Sequence, residues 1–416
     1  MIEKRLIDIS KNISSGITPL RSNDEFWTDG TIPWLKTEQL GEKYIFDTNE
    51  YITEKALQEA NVKIFPENTL SIAMYGEGKT RGNVSILKRP MATNQACCNI
   101  ELDEEKVSSE YVYYFLKTQY ENLRGLSSGI RKNLNTNDIK NFVVRLPENL
   151  KTQQSIAAVL SALDKKIALN KQINVRLEEM AKTLYDYWFV QFDFLDANGK
   201  SYKSSGGEMV FDETLKREIP KGWEVKSLGE VANFKNGINY SIDDVGGTNS
   251  YIVNVRDVSN SSIFIHEYDL DMISLANEKL QAYQIKENTI LVTRSGNPGA
   301  TRLLVNTNKL VVYCGFIISV EPKENNLLNL LFWFLKNQEG RISDISAGTV
   351  LKNVSQDILK RGYIVIPDET ILGKFNDFNR NIFSEICSIV KQNHQLTQLR
   401  DFLLPMLMNG QVSVVE

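Results

Sequence analysis

This chain is one pattern written twice. Sliding the 416-residue sequence by roughly 220 positions aligns matches from one end to the other. Leu6-Ile7-Asp8-Ile9 faces Leu228-Gly229-Glu230-Val231, and Asn68-Thr69-Leu70 faces Asn288-Thr289-Ile290 with Gly76 then opposite Gly296. Phe115-Leu116-Lys117 faces Phe334-Leu335-Lys336, Asp138-Ile139 faces Asp357-Ile358, and Leu146-Pro147-Glu148 faces Ile366-Pro367-Asp368. Gly129 faces Gly348, and Lys171-Gln172 faces Lys391-Gln392. Chance supplies single matches of this kind, not a colinear series. A tandem repeat of one structural unit is therefore the frame for every other reading.

Each repeat has two parts. Residues 1–150 and about 221–368 carry short β-type runs separated by Gly, Asn and Pro, such as Asn68–Met74, Ile290–Thr293 and Tyr363–Ile366. Each also holds one aromatic-rich helix candidate, Ser109–Gln119 and Leu327–Gln338. The pattern predicts two mixed α/β globules, α+β overall. The second part of each repeat, 152–190 and 370–409, is nearly free of Gly and Pro and reads as a long helix. Apolar residues in the first fall at Ile156, Leu160, Leu163, Ile167, Leu177, Ala181, Leu184 and Trp188, with Asn170 and Asn174 on the same seam. In the second they fall at Phe375, Ile382, Ile386, Ile389, Leu396 and Leu403, with Asn379 and Asn393 on the seam and Asn393 matching Asn174. Alternating steps of four and three are a heptad signature, and a seam Asn fixes register at a cost in stability.

A helix of nearly 40 residues spans roughly 55–60 Å, longer than a 150-residue globule can cover. The expectation is a coiled coil in which the two helices pair and hold the globules apart. Gly373 falls in the first turn of the second helix, and Pro405 is expected to end or kink it. The Gly/Ser-rich stretch between the halves, ending in Ile219-Pro220-Lys221-Gly222-Trp223, reads as a linker.

Chemistry is hard to find. An amino-methyltransferase needs an Asn/Asp-Pro-Pro-aromatic string, and the nearest, Asn297-Pro298-Gly299, reads as a turn. Gly76-Glu77-Gly78 lacks the spacing of a nucleotide-binding glycine loop. Glu104-Glu105-Lys106 has no upstream Pro-Asp partner for a metal-dependent nuclease. Four cysteines, Cys97, Cys98, Cys314 and Cys387, form no CxxC pair, and His266 and His394 lie far apart. No catalytic residue, metal ligand or cofactor site is assigned. The charged start MIEKRLIDIS lacks a signal-peptide core and no stretch approaches about 20 apolar residues, so a cytoplasmic protein is expected.

What the globules do offer is polar loops. With 48 basic and 52 acidic residues the chain is not built to coat nucleic acid, so affinity would depend on where charges sit. Reading base edges takes amide, guanidinium and carboxylate groups on defined loops, with Lys and Arg on phosphates. In the first globule the candidates are Lys36, Thr37, Glu38, Lys79, Arg81, Arg131 and Lys132. In the second they are Asn254, Arg256, Arg294, Asn297 and Lys352. Lys36 faces Asn254 and Glu38 faces Arg256, so similar scaffolds carry different polar tips. Two such scaffolds should read two different short sequences. A coiled-coil adaptor whose globules bind protein stays open as an alternative, and salt dependence separates the two.

Three stretches carry a family resemblance. The helix segments from Gln153-Gln154-Ser155-Ile156-Ala157 to Asn170-Lys171-Gln172-Ile173, the run Tyr187-Trp188-Phe189-Val190-Gln191-Phe192-Asp193-Phe194 and the string at 219–223 resemble Type I restriction–modification specificity (S) subunits. Asn288 to Gly296 is similar to their target-recognition domains. The resemblance implies target-recognition domains over 1–150 and 221–368, a central conserved helical spacer over 151–192, a linker over 193–220 and a C-terminal conserved spacer over 369–416. It implies a pseudo-twofold arrangement in which the two spacers form an antiparallel coiled coil. It implies a non-catalytic subunit that binds a bipartite double-stranded DNA target. Two modification (methyltransferase) subunits would carry S-adenosylmethionine and methylate adenine, and restriction subunits would use ATP and Mg. The residues Ile156, Leu160, Leu163, Ile167, Asn174, Leu177, Leu184, Ile382, Ile386, Ile389, Asn393, Leu396 and Leu403 are the expected coil and partner-docking positions.

Overall fold

A computed structural model describes residues 1–76, 80–126, 133–240, 247–305, 308–339 and 354–414. The chain divides into two compact units, Met1–Leu169 with Asn393–Glu416, and Asn170–Gln392. The long helices Leu150–Tyr185 and Glu369–Met408 each contribute to both.

The first unit is built on a five-stranded sheet in the order Ser10–Ser15, Cys97–Leu102, Leu70–Ala73, Val84–Leu87, Tyr44–Ile45. A three-stranded sheet follows in the order Glu50–Ile52, Ile32–Leu35, Ala92–Thr93. Strands Ile2–Arg5 and Val143–Leu146 close the globule as an antiparallel pair. The second unit repeats this strand for strand. Its five-stranded sheet runs Ala232–Asn236, Ile317–Pro322, Ile290–Thr293, Thr301–Leu304, Phe264–Ile265. Its three-stranded sheet runs Asp271–Leu275, Thr248–Val253, Val311–Tyr313, and Glu224–Ser227 pairs with Tyr363–Ile366.

The central strands show why the pattern folds this way. In Ile290–Thr293 the side chains alternate between two cores. Ile290 and Val292 join a large cluster with Trp333, Phe332 and Phe375, while Leu291 joins Ile252, Val312 and Ile317 under the three-stranded sheet. In Leu70–Ala73 the same split sends Leu70 and Ile72 to one core and Ala73 to the other. Both strands are entered through an Asn with left-handed backbone, Asn68 at φ 67° and Asn288 at φ 63°. Asn tolerates that region better than most side chains, so the repeat keeps it.

Both long helices begin at a capped turn. The Asn149 side chain accepts from the Lys151 N–H at 2.8 Å, and that of Asp368 accepts from Thr370 and Ile371 at 3.0 Å. In the first unit the start of the first helix lies along the end of the second. Arg400 pairs with Asp164 at 3.0 Å, and the Asn393 amide donates to the Ile167 carbonyl at 3.4 Å. In the second unit Asn170, 1% exposed, donates to Gln392 at 2.7 Å. Falling numbers on one helix meet rising numbers on the other, so the helices are antiparallel.

The seam residues divide by burial. Ile156, Leu160, Ile167, Ile382, Ile386 and Ile389 are buried, while Leu163, Leu177, Leu184, Leu396 and Leu403 are half-buried. The Asn174 side-chain oxygen is buried without a hydrogen-bond partner. The seam also merges with the globules: Ile156 and Leu160 share a core with Tyr111, Leu407 and Met408. Pro405 does not end the second helix, which runs on to Met408. Leu407 and Met408 are buried in the first globule's core, and that packing holds the last turn despite the missing N–H. Gly410 at φ 70° then terminates it.

The stretch expected as a linker carries its own structure. Met209–Asp212 and Arg217–Pro220 form a hairpin. Phe189, Phe192, Phe194 and Trp223 pack with Tyr185 and Phe375, with Phe194 stacked on Trp223 at 4.9 Å and Phe189 edge-on to Phe375 at 4.8 Å. The aromatic string 187–194 and the string 219–223 are therefore two sides of one core. Gln153 has a comparable role in the first unit, accepting from the Ser108 N–H at 3.0 Å and donating to the Pro147 carbonyl at 2.8 Å.

Candidate nucleic-acid interface

In the second globule the loops singled out from sequence converge. Asn254 follows the central strand Thr248–Val253 and caps the helix Val255–Asn260 together with Asp257. The hairpin loop after Ile290–Thr293 folds back beside it. A Cβ on Gly296, which has φ 78°, lies 3.2 Å from the Val255 side chain. Val354 donates its N–H to the Arg294 carbonyl at 2.9 Å, and the Tyr240 hydroxyl donates to Asn254 at 3.4 Å. Segments around 240, 254–256, 294–297 and 354 thus form one polar rim.

Within that rim the candidates differ in availability. Arg256 is exposed yet held by Asp271 at 2.5 Å and by Asp257 at 3.3 Å, and both acids raise its pKa, the Asp271 hydrogen bond most. Asn254 donates to Asp271 at 3.2 Å. Arg294 turns inward and donates to the carbonyls of Gly315 at 3.2 Å and Val354 at 3.4 Å, so it braces the loop. Asn297 is exposed at the tip. Lys352 lies outside the described residues.

The first globule assembles the same positions. Lys36 follows the central strand Ile32–Leu35 and opens the short turn Thr37–Gln39. Asn83, at the end of the hairpin loop, donates to the Leu40 carbonyl at 3.1 Å, which ties the two loops together. The Arg81 carbonyl accepts from Arg124 at 3.3 Å, and the Leu134 N–H donates to the Met74 carbonyl at 3.1 Å. Lys36 is bound by Glu38 at 2.8 Å and Glu50 at 2.6 Å, and the Glu38 hydrogen bond is the larger cause of its raised pKa. Thr37 is half-buried and Glu38 exposed. Lys79, Arg131 and Lys132 lie outside the described residues.

Sequence reasoning missed three charged members of these rims. Arg21 pairs with Glu50 at 2.5 Å and lies 3.7 Å over the Trp27 ring. Burial pushes the Glu50 carboxyl up, but hydrogen bonds from Lys36 and Arg21 outweigh it and hold it below the usual range. Asp271 is the third. Glu50 and Asp271 each open a strand, a position that periodicity alone does not mark. Among the described residues no His/Cys/Asp/Glu cluster has the makings of a metal site. Cys97 and Cys98 are buried thiols pushed up to about 12. No helix among the described residues is long and apolar enough to cross a membrane.

Comparison with known proteins places this geometry. The model of the Type I restriction modification DNA specificity domain matches residues 2–179 and again 220–387. The chain is 31% identical over 427 residues to the MjaIX specificity subunit of Methanocaldococcus jannaschii, covering 99% of this chain and 94% of that protein. It is 24% identical to the HindI specificity subunit of Haemophilus influenzae, over 68% of this chain and 72% of the relative. The fold is similar to that of the S subunit from M. genitalium, with a TM-score of 0.58 and 18% identity over 98% of this chain and 95% of that one. Two matches to one domain model, on two globules of one topology, make the chain a member of the Type I restriction–modification DNA specificity family.

Proposed function

We propose that this chain is the sequence-reading subunit of a Type I restriction–modification complex. Each globule binds one half of a split double-stranded DNA target. The observation that carries the reading is the pair of equivalent rims with unlike tips: Lys36 and Glu38 after one central strand, Asn254 and Arg256 after the other. One scaffold with two sets of donors and acceptors is what reading two unlike half-sites requires.

The chain itself performs no bond chemistry in this reading. Two modification subunits supply S-adenosylmethionine and methylate adenine, and restriction subunits bring ATP and Mg, all in the cytoplasm. Exposed apolar side chains on the long helices support partner docking there. Leu169, Val175 and Met180 on the first and Phe402 on the second are each about half exposed or more.

The test is a map of genomic adenine methylation in cells carrying this chain with its modification subunit, against cells lacking only this chain. A split motif present only with the chain supports the reading and reveals the target. Unchanged methylation despite a stable complex rejects it.

A further inference from the structure

Glu50 and Asp271 occupy one position of the repeated fold. Glu50 opens the strand Glu50–Ile52 and lies opposite Trp34, the penultimate residue of the central strand Ile32–Leu35. Asp271 opens Asp271–Leu275 and lies opposite Ile252, the penultimate residue of Thr248–Val253. The register is the same in both globules, although the residue is Glu in one and Asp in the other.

Each carboxylate holds the cation of the neighbouring loop, and the cations come from different places. Lys36 is the first residue after its strand and reaches Glu50 at 2.6 Å. Arg256 stands three residues after its strand and reaches Asp271 at 2.5 Å. Each acid also takes a second donor, Arg21 at 2.5 Å on Glu50 and the Asn254 amide at 3.2 Å on Asp271. The two rims have diverged in their tips but converge on an acid at this site.

Stability is a weak reason for the pairs. Arg256 and Asp271 are 58% and 51% exposed, Lys36 and Glu50 are each 27% exposed, and ion pairs that water still reaches contribute about 0–1 kcal/mol. Their place on the rim gives a better one. A carboxylate beside a loop cation keeps that side chain in one geometry before DNA arrives, and it repels any phosphate that approaches the cation alone. Only a ligand that offers the rim enough matched contacts displaces it, which is discrimination by an unfavourable element.

We propose that Glu50 and Asp271 are positioning residues for DNA reading, each holding its rim's cation and penalising contact with the wrong half-site. The proposal rests on the DNA-reading function above. The experiment is methylation mapping of the full chain with its modification subunit, comparing wild type with Glu50→Gln, Asp271→Asn and the charge-keeping Glu50→Asp and Asp271→Glu. The quantity read is methylation at sites with one mismatch, relative to methylation at the full motif in the same cells. Glu50→Gln should raise that ratio roughly two- to fivefold for mismatches in one half-site only, the size that loss of one solvent-accessible ionic interaction allows. Asp271→Asn should do so for the other half-site, and the charge-keeping variants should stay within twofold of wild type.

A general loss of methylation with the ratio unchanged would mean a merely structural role and overturn the proposal. So would equal relaxation of both half-sites, or relaxation by the charge-keeping variants as large as by the amides. If wild type shows no chain-dependent motif, the DNA-reading function itself fails and the proposal falls with it.

Discussion

Where the first globule meets the first long helix, half-buried polar side chains form one connected network. Lys43, only 10% exposed, pairs with Glu110 and donates to Ser161 at 2.7 Å, while the Tyr44 hydroxyl donates to Glu110 at 2.5 Å. Burial pushes the Glu110 carboxyl up, but hydrogen bonds from Lys43 and Tyr44 outweigh it and keep it below its ordinary 4.5. A carboxyl depressed on folding stabilises fully above its unfolded value, and that contribution is lost as pH falls through the folded one. Glu110→Gln should therefore cost about 1–3 kcal/mol at pH 7, because the largely covered Lys43 ammonium loses its ion-pair partner. It should also flatten the loss of stability below about pH 4.5. Thermal melting from pH 3 to 8 checks both effects. In the second unit the Trp333 indole donates to Asn379 at 2.7 Å with both side chains buried. Asn379→Ala should cost about 1–3 kcal/mol in denaturant unfolding, since the indole N–H loses its acceptor.

At the scale of the element, the second long helix tolerates two residues that its periodicity flags. Gly373 lies inside Glu369–Met408, and a Cβ there meets no heavy atom within 4 Å. Gly373→Ala should stabilise by about 0.5–1 kcal/mol, read as a higher urea midpoint with unchanged slope. Pro405 shows the opposite balance: burial of Leu407 and Met408 overrides a local helix breaker. The seam asparagines answer to geometry as well as heptad position. Asn170 finds Gln392, and Asn393 finds the Ile167 carbonyl, while the Asn174 oxygen stays unsatisfied.

For the whole molecule, the repeat makes two predictions. Exchanging the rim loops of one globule should alter one half of the methylated motif and leave the other. Equal change in both halves on the methylation map would contradict two independent readers. Polar substitutions at Ile167, Leu177, Ile386 and Leu396 should abolish assembly with the modification subunit, measured by light scattering after gel filtration. Ile167 and Ile386 are buried within their units, so this loss should come with lower melting temperature. Phe402→Glu, at a position 64% exposed, should weaken assembly while leaving the melt within about 0.5 kcal/mol of wild type.

The duplication, the two long helices and their heptad seam were legible in the order of residues alone, whereas the capped turns that start the helices emerged with the fold. The helices and their seam rest on periodicity, which acts over a few positions, and the duplication rests on matched residue order. The sequence also marked the loops at Lys36, Asn254 and Arg294 by composition. What those loop residues do depends on contacts between parts of the chain that sequence order does not bring together. Arg294 donates its guanidinium to two carbonyls, and Lys36 and Arg256 are held by acids some 15 residues away in sequence as well as by their near neighbours Glu38 and Asp257. Glu50 and Asp271 meet those cations because strand register carries them there, and register is set by pairing across the sheet. The aromatic string at 187–194 was legible as a motif. Its role as core against Trp223 and Phe375 needed the chain to close on itself, bringing together residues far apart in sequence.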